Sequence, residues 1–145
     1  MRSAHDSLAE LARYYDALMG HVNYDRWFTV AVELAELLPR GFRHLDAACG
    51  TCALLRRLLR LGWKSLGIDL SAPMLREGMK RKPVPSLAVA DLRALPMTES
   101  FEYVTCLFDS VNFLLEPDDL ALAFRELARA LKPRGILYFD VVTER

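Results

Sequence analysis

This sequence predicts an α/β fold, a doubly wound and mostly parallel sheet of about five strands, and three observations predict it. Short apolar runs alternate with helical periodicities from residue 43 onward, which implies parallel strands joined by right-handed crossovers. A turn of small residues, Ala47-Ala48-Cys49-Gly50-Thr51-Cys52, joins the first run to the helix after it. An aspartate stands at the carboxyl end of each of the first three runs: Asp46, Asp69 and Asp91. Open α/β sheets bind their ligands at those strand ends.

Each element has its own signal. Leu8, Leu11, Tyr15 and Leu18 share one face of a helix over residues 3–19, and a second helix is expected over 24–38, stopped by Pro39 and Gly41. The first strand is 43–47. In the next helix Leu54, Leu55, Leu58, Leu59 and Leu61 form an apolar stripe, with Arg56, Arg57 and Arg60 expected outside it. Gly62 ends that helix, and 65–68 form the second strand. Ser71-Ala72-Pro73 is a helix start, with serine as N-cap and proline in the first turn, leading into 74–82. The third strand is 86–90 and the fourth 103–108. Pro117 opens the most regular helix, on which Leu120, Phe124, Leu127 and Leu131 keep a core stripe until Lys132-Pro133-Arg134-Gly135 closes it. The fifth strand, 136–142, is an apolar run broken only by Asp140, as expected of a strand covered on both faces.

Composition narrows the setting. A chain of 145 residues, 52% of them hydrophobic, holds one core. Nineteen basic and nineteen acidic side chains cancel, so there is no field to recruit nucleic acid or an anionic membrane. No apolar run approaches the roughly 20 residues that span a bilayer. The first residues carry acids and no apolar stretch, unlike a secretory signal. Three cysteines give no disulfide framework, which fits a reducing compartment and a cytoplasmic location.

The turn and the acids carry the chemistry. Gly50 removes a Cβ where backbone passes close to a ligand. Asp69 lies 19 positions beyond it, close to the roughly 20-residue offset of a ribose-binding acid. That offset suits either a nicotinamide dinucleotide or an adenosine with an amino-acid tail. ACGTCA is not G-x-G-x-x-G, so the tight turn that cradles a pyrophosphate is missing. Cys49 and Cys52 also spell C-x-x-C at a helix start, where redox pairs lie. That reading leaves the strand-end acids unexplained, and no functional disulfide is expected. A zinc site would need about four ligands, and no second paired spacing accompanies Cys106 and the three histidines.

Residues 43–75, RHLDAACGTCALLRRLLRLGWKSLGIDLSAPML, resemble the cofactor-binding half of the class I S-adenosylmethionine-dependent methyltransferases. Their first motif is an acid followed by alternating small residues, here Asp46, Ala48, Gly50 and Cys52. Tyr15-Asp16-Ala17-Leu18-Met19, Val22-Asn23-Tyr24 and Trp27 resemble the opening of a small-molecule methyltransferase subgroup, in which this segment lids the cofactor. The resemblance implies a Rossmann-like sheet ordered 3-2-1-4-5, a lid over residues 1–40 and a core over 41–145. S-adenosylmethionine is the implied cofactor and S-adenosylhomocysteine its product. The implied cofactor-binding residues are Tyr15, Trp27, Asp46, Ala48, Gly50, Asp69, Leu70, Met74, Asp91, Leu92 and Phe108. Among them Asp69 would bind the ribose, Asp91 and Leu92 the adenine edge, and Met74 the adenine face. Asp109, in Leu107-Phe108-Asp109-Ser110-Val111-Asn112, is the candidate base, with His21 second. Cys52 departs from the family's third glycine and is expected to crowd the cofactor or the helix–strand contact.

The resemblance implies methyl transfer to a small-molecule or unidentified acceptor. A cofactor-binding domain without catalysis and an NAD-dependent oxidoreductase stand as alternatives. The family continues past strand five into a helix and two more strands. Whether the chain is a fragment or a partner completes its sheet stays open, and strand five is expected at the border, exposed to self-association.

Overall fold

The computed structural model describes residues 4–20, 22–108 and 110–143. Two helices come first, α1 (Ala4–Leu18) and α2 (Asp25–Ala35). Then follow β1 (Arg43–Ala47), α3 (Ala53–Leu59), β2 (Lys64–Asp69), α4 (Ala72–Gly78), β3 (Ser86–Val89) and β4 (Phe101–Cys106). A single 3₁₀ turn (Ser110–Phe113), α5 (Pro117–Ala130) and β5 (Leu131–Phe139) complete the order. The five strands form one parallel sheet ordered β3-β2-β1-β4-β5, as expected from the sequence. The strand order reverses between β1 and β4, and a doubly wound sheet places its ligand crevice at that switch.

Side chains alternate across the sheet. Leu45 and Ala47 of β1, with Val104 and Cys106 of β4, pack into one core against Leu127 and Ala130 of α5. On the opposite face Ala31 of α2 and Leu54 and Leu58 of α3 form a second core with Trp27, Phe28 and Trp63 around them. Helix α1 lies across α4, and α2 lies beside α3. Ser71 caps α4 as its sequence indicated, its hydroxyl accepting from the Met74 N–H at 3.3 Å.

Three expectations are corrected. Arg56 is buried rather than outside: its Nη1 donates to the carbonyls of Thr51 at 2.8 Å and Gly78 at 3.1 Å. It ties the turn after Gly50 to the end of α4, so its position on the helix is set by backbone acceptors and not by solvent. Lys132-Pro133-Arg134-Gly135 does not simply close α5. Leu131 already pairs with Phe101, then the register shifts, and regular pairing resumes at Tyr103 with Ile136. Pro133 has no N–H to give, and Arg134 adopts φ 66°, so the intervening residues bulge from the ladder. Finally, β5 is half-exposed and stops at Phe139, leaving Val141 and Val142 outside it. As the border strand it has one neighbour in the sheet, while its two faces pack on different cores, Leu137 on the α5 side and Tyr138 on the α2/α3 side.

Candidate functional site

The turn after β1 is built from left-handed residues. Ala48 has φ 57°, Gly50 φ 56° and Cys52 φ 68°, the three alternate positions of the small-residue motif. Glycine takes this region freely, whereas a residue with a Cβ is strained there. A Cβ on Gly50 would meet only Met74 Cε at 3.4 Å, so the dihedral angle demands glycine more than the space does. Two of the three positions hold this conformation despite their side chains. Backbone held against its own preference concentrates at functional sites.

Asp69 fastens the turn. Its carboxylate accepts from the Gly50 N–H at 2.8 Å through Oδ2 and from the Ser71 N–H at 2.8 Å through Oδ1. The Cys49 N–H donates to the Ile68 carbonyl at 2.9 Å, so β2 holds the turn twice. Above it, the Thr51 hydroxyl donates to Asp16 of α1, and Arg81 pairs with the same carboxylate at 3.2 Å. The first helix is thereby pinned over the strand ends.

A cavity of about 380 Å³ opens there. Of the residues put forward from the sequence, Tyr15, Asp46, Ala48, Gly50, Asp69, Leu70, Met74, Asp91, Leu92 and Phe108 all line it. Trp27 does not. It stands behind Phe108, with ring centroids 5.3 Å apart, and its indole Nε1 donates to Asp140 at 2.9 Å. The residue between lid and cavity is instead Tyr24, edge-on to Phe108 at 4.8 Å. Spacing could not choose between the two aromatics, because both fall in the turn and first part of α2. Thr51 and Leu114 also reach the wall, as does Cys49, whose sequence signal was only the C-x-x-C spacing, and Leu11 does so from the lid. Asp109 and His21 lie outside the described residues.

Cys52 is fully buried and is not part of the cavity wall. A Cβ on Gly78 would lie 2.8 Å from its sulfur, which therefore packs against α4 beneath the turn. The Cys49 and Cys52 sulfurs are 3.7 Å apart as free thiols. The hydrogen bond to Cys52, then burial, pushes the Cys49 thiol far above its ordinary pKa, so it is no ready nucleophile.

The cavity is acidic at one end and apolar elsewhere. Asp46 is buried, and burial pushes its carboxyl up to about 7 against the Thr105 hydrogen bond. Arg93 holds Asp91 low, gripping both its oxygens at 2.8–3.3 Å and reaching Asp119 at 3.1 Å with its remaining nitrogen. No lysine or arginine is among the described lining residues, and Arg93 balances Asp91, which leaves Asp46 and Asp69 as the wall's unbalanced carboxyl groups. Such a wall favours a positively charged or neutral ligand over a polyphosphate. Among the described residues no three histidine, cysteine or acidic side chains are grouped to hold a metal ion, and no helix is long and apolar enough to cross a membrane.

Fold and cavity together define a doubly wound α/β domain with a nucleoside-type crevice at its switch point. The chain belongs to the methyltransferase domain family, whose model matches residues 45–135. It is 38% identical over 135 residues to YqeM of Bacillus subtilis, a protein named as a methyltransferase, covering 90% of this chain and 53% of that protein. It is 33% identical to the dTDP-4-amino-2,3,4,6-tetradeoxy-D-glucose N,N-dimethyltransferase of Saccharopolyspora spinosa, over 89% of this chain and 53% of that one. Among solved structures, an S-adenosylmethionine-dependent methyltransferase from Clostridium acetobutylicum superimposes with a TM-score of 0.75 at 29% identity, over 96% of this chain and 58% of that one. CalS10 from Micromonospora echinaspora, an amino pentose methyltransferase with S-adenosylmethionine bound, gives 0.76 at 27% identity, over 99% and 58%. The chain thus spans about half the length of the curated relatives it matches.

Proposed function

We propose that the chain binds S-adenosylmethionine in this cavity and is the cofactor-binding part of a methyltransferase acting on a small molecule. The observation that carries this reading is the strand-end series Asp46, Asp69 and Asp91 around the left-handed turn, on a wall whose described lining includes no lysine or arginine. A sulfonium with an α-amino group suits such a wall, and a dinucleotide's pyrophosphate does not. The likeness to sugar N-methyltransferases supports a small-molecule acceptor.

Residues 1–40 act as lid and 41–145 as core in this reading. Asp69 has two acceptor positions left after Gly50 and Ser71, and these serve the ribose hydroxyls. Asp91 and Leu92 face the adenine edge, Met74 its ring, and Tyr15 and Phe108 the methionine end, with Trp27 holding Phe108 from behind. Bound there, the cofactor supplies an electrophilic methyl group. The chain's own task is alignment for an in-line displacement and exclusion of water by the lid. Asp109 is assigned as the base that takes a proton from the acceptor. A cytoplasmic location and self-association through the β5 edge belong to the same proposal, supported by the three free thiols and the border position of β5.

Calorimetric titration with S-adenosylhomocysteine and, separately, NAD tests the assignment. Micromolar binding of the first and none of the second is expected. Asp69→Ala should lower that affinity by a hundredfold or more, since each hydrogen bond to a charged acceptor contributes about 1.5–3 kcal/mol. Equal affinity for the wild type and Asp69→Ala would sink the assignment.

A further inference from the structure

His44 is a buried histidine in the middle of the sheet, two residues before Asp46 and on the same face of β1. Strand register decides what meets it. Ser65 of β2 is the direct partner of His44, and Thr105 of β4 is the direct partner of Asp46. Four polar side chains therefore lie in a row across three strands. Ser65 Oγ is 2.8 Å from His44 Nδ1, Thr105 Oγ1 is 2.9 Å from His44 Nε2, and Thr105 Oγ1 is 2.7 Å from Asp46 Oδ1.

The polarity of this row follows from counting protons. Above about pH 7 Asp46 is ionised and has none to give, so the single hydroxyl proton of Thr105 goes to it. Thr105 Oγ1 must then accept from His44, which fixes the proton of the neutral ring on Nε2. Nδ1 is left as an acceptor, and the Ser65 hydroxyl donates to it. The rings of Trp63 and Tyr103 stand edge-on at 5.2 and 5.4 Å, and no carboxylate touches the imidazole, so nothing compensates a charge on it. Burial accordingly holds His44 down to about 3.

We propose that His44 and Thr105 are positioning residues for Asp46: the one-way chain from Ser65 through His44 and Thr105 holds its carboxylate as a pure acceptor aimed at the cationic end of the ligand. This rests on the cavity being the cofactor site. The chain occupies one oxygen of Asp46 from behind and leaves the other for the cavity, where Asp46 lines the wall. A chain run in one direction polarises each successive bond, strengthening the last one. The other titratable groups around Asp46 are Asp69 from the end of β2, Cys49 from the turn, Cys106 from β4, and Tyr15 and Tyr24 from the lid side. None of them is cationic, so the neutral donors of the chain do the orienting.

Thr105→Val keeps the shape and removes the hydroxyl, while Thr105→Ser keeps the hydroxyl. Calorimetry with S-adenosylhomocysteine across about pH 6 to 8.5 should show Thr105→Val weakened on the order of tenfold. Its pH midpoint for binding should also move upward, because Asp46 loses a donor that favours its charged form. Thr105→Ser should recover wild-type affinity to within about threefold. Nitrogen NMR on the ligand-free wild type should find His44 protonated on Nε2 alone in the upper part of that range, above about pH 7, where Asp46 is ionised. An Nδ1 proton, or a Thr105→Val protein with wild-type affinity and midpoint, overturns the proposal. Should the wild type bind no S-adenosylhomocysteine, the cofactor reading fails by itself. The chain is then decided by carbon NMR of the ligand-free proteins, where an Asp46 titration unmoved by Thr105→Val rejects it.

Discussion

The indole of Trp27 and the carboxylate of Asp140 are joined by a 2.9 Å hydrogen bond across 113 residues of sequence. The same oxygen accepts from the Phe108 N–H at 3.1 Å, and Phe108 sits at φ 61°, a conformation a bulky residue seldom adopts. Asp140 thus holds both an aromatic of the cavity wall and the aromatic behind it. The charge that interrupts an otherwise apolar strand sequence is explained by this contact.

Asp140→Ala should leave two donors without their acceptor and allow Phe108 to relax. A loss of about 2–6 kcal/mol in stability is expected, at about 1–3 kcal/mol for each of the two partly buried donors. Affinity for S-adenosylhomocysteine should fall as well, because Phe108 lines the cavity. Urea unfolding and calorimetry check the two effects separately. An unchanged unfolding midpoint would deny Asp140 this role.

Ala48 makes the turn's strain measurable. At φ 57° an alanine costs about 1–2 kcal/mol relative to glycine in that region, and glycine returns roughly 0.5–1 of it through unfolded-chain entropy. Ala48→Gly should therefore stabilise by less than about 1 kcal/mol. Ala48→Val, β-branched in the same conformation, should destabilise by about 2 kcal/mol or more. Denaturation midpoints for the pair should move in opposite directions. A valine variant as stable as the wild type would mean that the turn is not held left-handed in solution.

The parallel, doubly wound character of the sheet was legible in the alternation of strands and helices, its order came from the resemblance to class I methyltransferases, and the strand-end acids marked the crevice. What the sequence hid depends on register and packing. Nothing in residues 43–47 says that Ser65 will face His44 or that Thr105 will face Asp46, although a His-x-Asp alternation inside a buried strand was a visible signal. Arg56 looked like a solvent residue because its acceptors are backbone carbonyls, which carry no sequence signature. Trp27 and Tyr24 exchanged places relative to the cavity for a similar reason: the rotation of α2 is set by its packing on α3 and on Tyr103, whose hydroxyl donates to the Ala31 carbonyl at 2.8 Å.

His44 and Asp46 should give the protein opposing responses to pH. The folded chain keeps the Asp46 proton up to about 7, whereas an unfolded chain gives it up near 3.8, so this stabilisation is present in acid and lost as pH rises toward 7. His44 acts in reverse. The unfolded chain protonates it near 6.5 and the folded chain only near 3, so stability is lost as pH falls through that interval. Between about pH 4 and 6.5 the two slopes offset each other. His44→Gln should unmask the first, giving a protein that becomes less stable as pH rises from 4 to 7, and Asp46→Asn should unmask the second. Unfolding free energies at several pH values test this. If both variants keep the wild-type profile, the two groups are not buried as described.

The border strand supplies the last expectation. Phe139 and Val141 are 40% and 49% exposed along and just past β5, and no charged side chain stands between Ile136 and Phe139. Natural sheet edges are usually short, charged or covered, because unpaired backbone groups beside apolar side chains template the pairing of another chain. A second copy can offer the same edge in reverse, so antiparallel pairing of β5 with itself would close both margins with one symmetric contact. The 145-residue chain should therefore form a reversible dimer at concentrations of tens of micromolar, seen by sedimentation equilibrium. Val141→Lys should shift it to monomer without altering the unfolding midpoint of the monomer, since the side chain is already half in solvent. A chain that stays monomeric at every concentration would show that the edge is protected by some other means.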